Sequence, residues 1–209
     1  MNILHIDSSI LGEGSVTREL SAELVAQLRA RHPTARVTYR DLAEHEVRHL
    51  NGAIAAGFRQ PGGGEWDEAT VREHQVSETL VTEFLHSDLL VIGAPMYNFS
   101  LSSQLKAWLD RIAQVGRTFK YTENGPVGLS AGRRVIVVSA RGGFYAQGPF
   151  AHMDFQENYL KAFFGFLGIG DVQFVRAEGA SKGDQVRQQG ITRARLAIAD
   201  VLSGLPVSA

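Results

Sequence analysis

"SDLLVIGAPMYNFSLSSQLKAWLDRI", residues 87–112, decides the fold. Leu89 to Ile92 form an unbroken apolar run of strand length. Continuous rather than alternating apolarity suits a strand covered on both faces. Gly93-Ala94-Pro95 ends it, because Pro95 fixes its own φ and forces Ala94 into an extended conformation. From Leu101 to Ile112 the apolar residues return at helical spacing. Between strand and helix stand two large aromatics, Tyr97 and Phe99, on either side of Asn98.

The same alternation extends outward. "NILHID", residues 2–7, reads as a buried strand, and a helix is predicted from Ser15 to the stop at His32-Pro33. "ARVTYRDL", 35–42, is a second strand with Val37 and Tyr39 on one face. Residues 43–64 read as an irregular surface excursion ending in Gly62, Gly63 and Gly64. A long helix follows from about Asp67 to His86. After the 87–112 unit, 117–129 is a short β excursion turning at Glu123-Asn124-Gly125-Pro126. "RRVIVVSARGG", 133–143, is a strand running into a Gly-rich loop. Asn158 to Leu167 is a helix, 171–179 a fifth strand and 184–203 the last helix. This pattern predicts an α/β fold: a doubly wound, five-stranded parallel sheet with helices on both faces, forming a single domain over 1–209.

The totals exclude several functions. The chain has 209 residues, a net charge of −1 and no Cys. Near-neutrality without a Lys/Arg cluster argues against nucleic acid or an anionic membrane as partner. The absence of Cys removes disulfides, thiolate zinc sites and cysteine nucleophiles. No apolar run approaches the roughly 20 residues of a spanning helix. The N-terminus reads as a strand rather than a signal peptide, so the expected location is the cytoplasm. Seven scattered His without an H-E-x-x-H motif predict no metal site. Gly179-Ala180-Ser181-Lys182-Gly183 matches G-x-S-x-G, but no His follows Ser181, so an α/β-hydrolase triad cannot close in order. Ser181 reads instead as a helix-start residue.

Ligands of an open parallel sheet bind beyond the carboxyl ends of its strands, where the strand order reverses. Three loops lie there: 8–17, 94–103 and 139–148. In the first, Ser9, Ser15 and Thr17 offer hydroxyls, and the N–H groups of Ser15, Val16 and Thr17 stand at a positive helix end with Arg18 nearby. A phosphate site and a plain N-cap are both open readings. Gly12-Glu13-Gly14 lacks the third glycine of a dinucleotide fingerprint, and no P-loop occurs. In the second loop Tyr97 and Phe99 offer flat apolar surface and Asn98 a donor and an acceptor; core packing of both rings is the competing reading. In the third, Gly142 and Gly143 allow close backbone approach, and Arg141 could meet a carbonyl oxygen or a phosphate. A mononucleotide with a large flat ring fits all three loops.

At "APMYNF" (94–99), with "TFKYTENGPVGL" (118–129), "ARGG" (140–143) and "FLGIGDVQFV" (166–175), the chain resembles the FMN-dependent NADH azoreductases, also described as NADH:quinone oxidoreductases, of the flavodoxin-like fold. The resemblance covers essentially the whole chain. It implies one FMN per subunit, with phosphate at Ser9, Ser15, Val16 and Thr17. Pro95, Met96, Tyr97, Asn98 and Phe99 would line the ring, and Ala140, Arg141, Gly142 and Gly143 would contact its polar edge. Family members commonly carry Ser at the position of Ala140, and Ser139 is the candidate to compensate. Tyr121 and Phe163 fall where the family places aromatics over the substrate cleft. The resemblance further implies a homodimer with the active site at its interface. The implied chemistry is ping-pong: NADH reduces the flavin, leaves, and a quinone or azo compound takes two electrons in the same slot. No catalytic side chain is required. The alternative is a flavodoxin-type electron carrier, which the near-neutral charge and the extra aromatics disfavour.

Overall fold

Every residue of β3 (Leu89–Pro95) is buried. In the computed structural model, which describes residues 1–59 and 65–205, this strand is the centre of a five-stranded sheet. Its neighbours are β1 (Asn2–Asp7) and β6 (Arg134–Ala140); β2 (Arg36–Asp41) and β7 (Asp171–Ala177) are the edges. The order is β2-β1-β3-β6-β7, all parallel. Strand order reverses at β1, so the gap between β1 and β3 is the switch point.

Period-2 alternation splits β3 between two cores. Leu90, Ile92 and Ala94 face a layer containing α3 (Glu68–His86), α4 (Ser103–Ile112) and α5 (Phe155–Phe166). Leu89 and Val91 face α1 (Val16–Arg31) and α6 (Asp184–Ser203). The helices start where short polar side chains can accept a backbone N–H: Ser15, Asp67, Ser102 and Asp154 cap α1, α3, α4 and α5. Arg111 on α4 is fully buried and pins α4 to α3 through Ser77 Oγ (2.7 Å) and Glu73 Oε2 (2.8 Å). The same guanidinium donates to the Arg48 carbonyl at 3.0 Å, tying down the chain after β2.

Three local expectations shift. Residues 43–64 are not wholly irregular: α2 (Gly52–Gly57) forms there, capped by Asn51, which accepts from Ile54 N at 2.9 Å. Gly62, Gly63 and Gly64 lie outside the described residues. α5 begins at Phe155 rather than Asn158, because Asp154 accepts from both Gln156 and Glu157 N–H. Asp154 and Glu157 have the D-x-x-E spacing of a capping box, the sequence signal for that earlier start. Ser181 does not begin α6; the cap position is Gly183, at φ 93°.

The β excursion is a hairpin of β4 (Phe119–Thr122) and β5 (Gly125–Gly128), antiparallel and separate from the main sheet. Its base rests on the far end of α5. Ser130 N donates to Leu167 O at 2.9 Å, and a Cβ on Gly128 would overlap the backbone of Leu167 and Gly168. Gly128→Ala must therefore lift the hairpin off α5 and is expected to destabilise the protein by about 1–3 kcal/mol. Gly165→Ala, whose Cβ meets open space, is the control and should be neutral or stabilising. Chemical denaturation of both variants measures this; equal effects would show that the backbone contact does not hold the hairpin.

Candidate cofactor-binding site

The three loops converge at the carboxyl edge of β1, β3 and β6. Each is built by a different local device.

The loop after β1 is anchored first. Ser8 N and Oγ both donate to Gly93 O, at 3.2 and 2.8 Å, and lock it to β3. Gly93 is required there, since a Cβ would strike the Asp7 carboxylate. Ser15 then caps α1, accepting from Arg18 N at 3.3 Å, and its hydroxyl pairs with Thr17 Oγ1 at 3.0 Å. The N–H groups of Val16 and Thr17, in the first turn, have no intrahelical acceptor. Ser15, Val16 and Thr17 are thus a cluster of neutral donors at a positive helix end, and the Arg18 side chain ties Ser9 to the same first turn.

Arg18 is not among those donors. Its guanidinium forks onto Asp41, and Nη2 also donates to Ser9 O at 3.0 Å. That pairing holds the Asp41 carboxyl below the usual range. Its stabilising contribution is present above the ordinary carboxylate pKa and is lost as pH falls through the depressed one. Burial, aided by the Asp7 carboxylate, pushes the Tyr39 phenol up to about 12.

The loop after β3 closes on itself. Tyr97 N donates to Ser100 O (2.9 Å) and Ser100 N to Tyr97 O (3.0 Å), with Asn98 at φ 47° and Phe99 at φ 70°. Positive φ at both central residues is the signature of a type I′ turn, normally Asn-Gly. Phe in that position is strained, at a cost of order 1–3 kcal/mol, and persists only where surroundings over-determine it. They do so here: Phe155 N donates to Phe99 O at 3.1 Å, and Gln156 Nε2 to the carbonyls of Ala94 (3.1 Å) and Pro95 (2.9 Å).

The turn separates the two rings that sequence left equivalent. The Tyr97 hydroxyl reaches the first loop, 3.3 Å from Ser9 Oγ and from Ile10 N. Phe99 is 39% exposed and lies nearly perpendicular to the Tyr145 ring, at 6.1 Å between centroids. Neither packs as core. Asn98 is exposed and its amide makes no hydrogen bond among the described residues. Met96 N donates to Ala140 O at 2.8 Å, joining the second loop to the third.

The third loop corrects two expectations. The Arg141 side chain is fully buried and points into the protein, bound to Glu157 and, at 3.0 Å, to Asp154. It cannot meet a ligand's carbonyl or phosphate; only its backbone lies on the site. Ser139 cannot replace a Ser at Ala140 either. It is fully buried, its Oγ has no partner, and period 2 turns it to the opposite face from Ala140. The loop backbone is well placed. The carbonyls of Arg141, Gly142 and Gly143 accept from Ala180, Ser181 and Gly179 N–H. The Gly142 and Gly143 N–H groups donate to no backbone carbonyl among the described residues, so they are available. Glu178 Oε1 fixes the next residues by accepting from Tyr145 N (2.6 Å) and Ala146 N (2.8 Å).

Sequence reasoning missed Gln156 and Glu178, which hold backbone of the second and third loops, and Asp154 and Glu157, which hold the Arg141 side chain. Their roles depend on long-range approach, and only the capping-box spacing of Asp154 and Glu157 signalled any of them. The two predicted substrate aromatics are not brought together. Phe163 stacks on Tyr159 (6.0 Å, 24°), which lines a cleft of about 840 Å³ beside Met96, Tyr97 and Asn98. Tyr121 is 72% exposed on the hairpin, rooted at the opposite end of α5 from Phe99. A second cleft, about 650 Å³ around Trp66 and His74, touches none of the three loops. Among the described residues no group of His, Asp and Glu could hold a metal, and no helix is long and apolar enough to cross a membrane.

Comparison with known proteins agrees with this architecture. A family model described as flavodoxin-like fold matches residues 1–202. The chain is 59% identical over 203 residues to an FMN-dependent NADH:quinone oxidoreductase of Ralstonia nicotianae, covering 97% of this chain and 98% of that one. It is 57% identical over 202 residues to FMN-dependent NADH:quinone oxidoreductase 2 of Xanthomonas axonopodis pv. citri, covering 97% and 94%. Among solved structures it is similar to an azoreductase from Bacillus anthracis str. Sterne, with TM-score 0.89, 26% identity and coverage of 98% and 100%. An FMN-dependent NADH-azoreductase of Bacillus anthracis str. Ames Ancestor in complex with FMN gives TM-score 0.84 at 27% identity, covering 96% and 99%. The chain belongs to the flavodoxin-like fold family and, within it, to the family of FMN-dependent NADH:quinone oxidoreductases.

Proposed function

We propose that this chain is an FMN-dependent oxidoreductase that takes electrons from NADH and passes two at a time to quinones or azo compounds in the cytoplasm. The observation that carries the reading is the convergence of a neutral anion-binding loop, an unpaired Asn98 amide and two free glycine N–H groups at one switch point. This donor set suits FMN. Ser9, Ser15, Val16 and Thr17 would hold the phosphate by hydroxyl and backbone donors. Pro95, Met96, Tyr97, Asn98 and Phe99 would line the ring, with Tyr97 nearest the phosphate end. Ala140, Gly142 and Gly143 would meet the polar edge through backbone groups. When bound, FMN supplies the hydride-accepting and electron-donating chemistry; the protein binds and orients it.

No acid–base pair lies among the residues assigned to the slot, so their work is positioning. One exposed slot beside Phe99 suits alternate occupancy by nicotinamide and acceptor, a ping-pong sequence. The position of Tyr121 supports a homodimer. A hairpin rooted at the far end of α5 covers a slot most simply when it belongs to a second copy, and exposed Phe155, whose N–H donates to Phe99 O, offers apolar surface beside the 96–100 turn. A pure electron carrier would lack its own small-molecule slot and need a separate reductase.

Purified protein is expected to be yellow, to carry one FMN per chain and to oxidise NADH with a small quinone without added reductase. Colourless protein that takes up no FMN would overturn the reading. Initial rates at varied NADH and quinone should give parallel double-reciprocal lines; intersecting lines would refute alternate occupancy. Asn98→Gly keeps the left-handed backbone and removes only the amide. It should weaken flavin binding roughly tenfold, as read by fluorescence titration, and unchanged affinity and spectrum would remove Asn98 from the site.

A further inference from the structure

A polar network, buried at Asp7, Ser21 and Asp41 and reaching solvent at Tyr39, adjoins the loop after β1. It contains two carboxylates, Asp7 and Asp41, close to a loop that binds an anion. Asp7 accepts from Ser21 Oγ (2.9 Å) and Tyr39 OH (3.1 Å), with His5 Nε2 at 3.6 Å. Asp41 is answered by Arg18, through Nη1 and, at 2.8 Å, through Nη2.

The five guanidinium hydrogens of Arg18 are accounted for. Nη1 serves Asp41 and the Tyr39 hydroxyl (3.2 Å), and Nη2 serves Asp41 and Ser9 O (3.0 Å). Nε is sealed from solvent without an acceptor. None remains to aim at a phosphate. The backbone of the same residue belongs to the loop's end, with Arg18 N on Ser15 Oγ (3.3 Å) and Arg18 O accepting from Ser21 Oγ (3.2 Å).

We propose that Arg18 is a positioning residue for the FMN phosphate loop: it grips the Ser9 carbonyl and neutralises Asp41, so that neutral donors alone meet the phosphate. The inference rests on the reading of that loop as the phosphate site. Ser9 is thereby held at its carbonyl by Arg18, while its hydroxyl lies 3.3 Å from Tyr97 OH. Without the guanidinium, the Ser9 carbonyl loses the donor that fixes its peptide plane, and the Asp41 carboxylate is left unopposed beside the anion. Lysine cannot substitute, because a single ammonium lacks the fork that reaches Asp41 and Ser9 O together.

Riboflavin, which lacks the phosphate, separates this role from general stability. Dissociation constants for FMN and riboflavin are measured by fluorescence quenching on the wild type, Arg18→Lys, Arg18→Gln and Asp41→Asn, with circular dichroism as a folding check. FMN affinity should fall roughly tenfold or more in both Arg18 variants, while riboflavin affinity stays nearly unchanged. Asp41→Asn, which keeps Oδ1 for the Ala43 and Glu44 N–H groups, should also weaken FMN by unanchoring the fork. An unchanged FMN-to-riboflavin ratio in the folded variants would overturn the proposal. So would tighter FMN binding in Asp41→Asn, the result expected if a released Arg18 were a direct phosphate ligand. Wild-type protein that binds neither flavin would overturn the underlying reading instead.

Discussion

The tie between the end of β3 and the start of α5 is the constraint on which the site depends. β3 is buried on both faces up to Pro95, so its last carbonyls need partners before the chain can leave the sheet. Gln156 supplies them for Ala94 and Pro95, and Phe155 N–H takes the carbonyl of Phe99 four residues on. Between these ties the chain must reverse within four residues. It does so through a two-residue turn whose second central residue is a phenylalanine in a conformation normally reserved for glycine. Strain of that kind survives because the helix start leaves no relaxed alternative. Its consequence is that Tyr97 and Phe99 diverge, one toward the phosphate loop and one into the open, with the Asn98 amide presented between them.

Charge is handled the same way around the site: its cations are engaged by carboxylates. Arg18 answers Asp41, and the buried Arg141 answers Asp154 and Glu157. Both act through backbone, Arg18 on Ser9 and Arg141 by bracing the loop that carries Gly142 and Gly143. In the proposed binding mode, what would face the ligand is hydroxyl, amide and backbone N–H. Such a surface holds a phosphate without a mobile counter-charge and leaves the ring environment to be set by fixed dipoles.

Much of this was legible in the sequence. The unbroken apolar runs at 89–92 and 134–138 announced central strands. The Gly-Ala-Pro break placed the ligand loop, and "APMYNF" with the "ARGG" loop identified the family. The starts of α1 and α3 were found at their caps, Ser15 and Asp67; α4 begins at Ser103 rather than Leu101, α5 at Phe155 rather than Asn158, and α2, capped by Asn51, was missed. The two arginines were misread because residue type and loop position argue for an anion partner. The carboxylates that in fact pair with them are Asp41 of β2, 23 residues from Arg18, and Asp154 and Glu157 at the start of α5, the latter 16 residues from Arg141.

Sequence alone determined the fold class, the order of elements and which three loops meet, because hydrophobic periodicity and turn chemistry are local properties that a parallel sheet can satisfy in few ways. Only the tertiary structure decided which polar groups of those loops are engaged within the protein and which stay open. That choice is made by long-range acceptors competing for the same donors. Asp41 wins Arg18, Glu157 and Asp154 win Arg141, Ser9 and Ile10 meet the Tyr97 hydroxyl, and what is left unclaimed is the site.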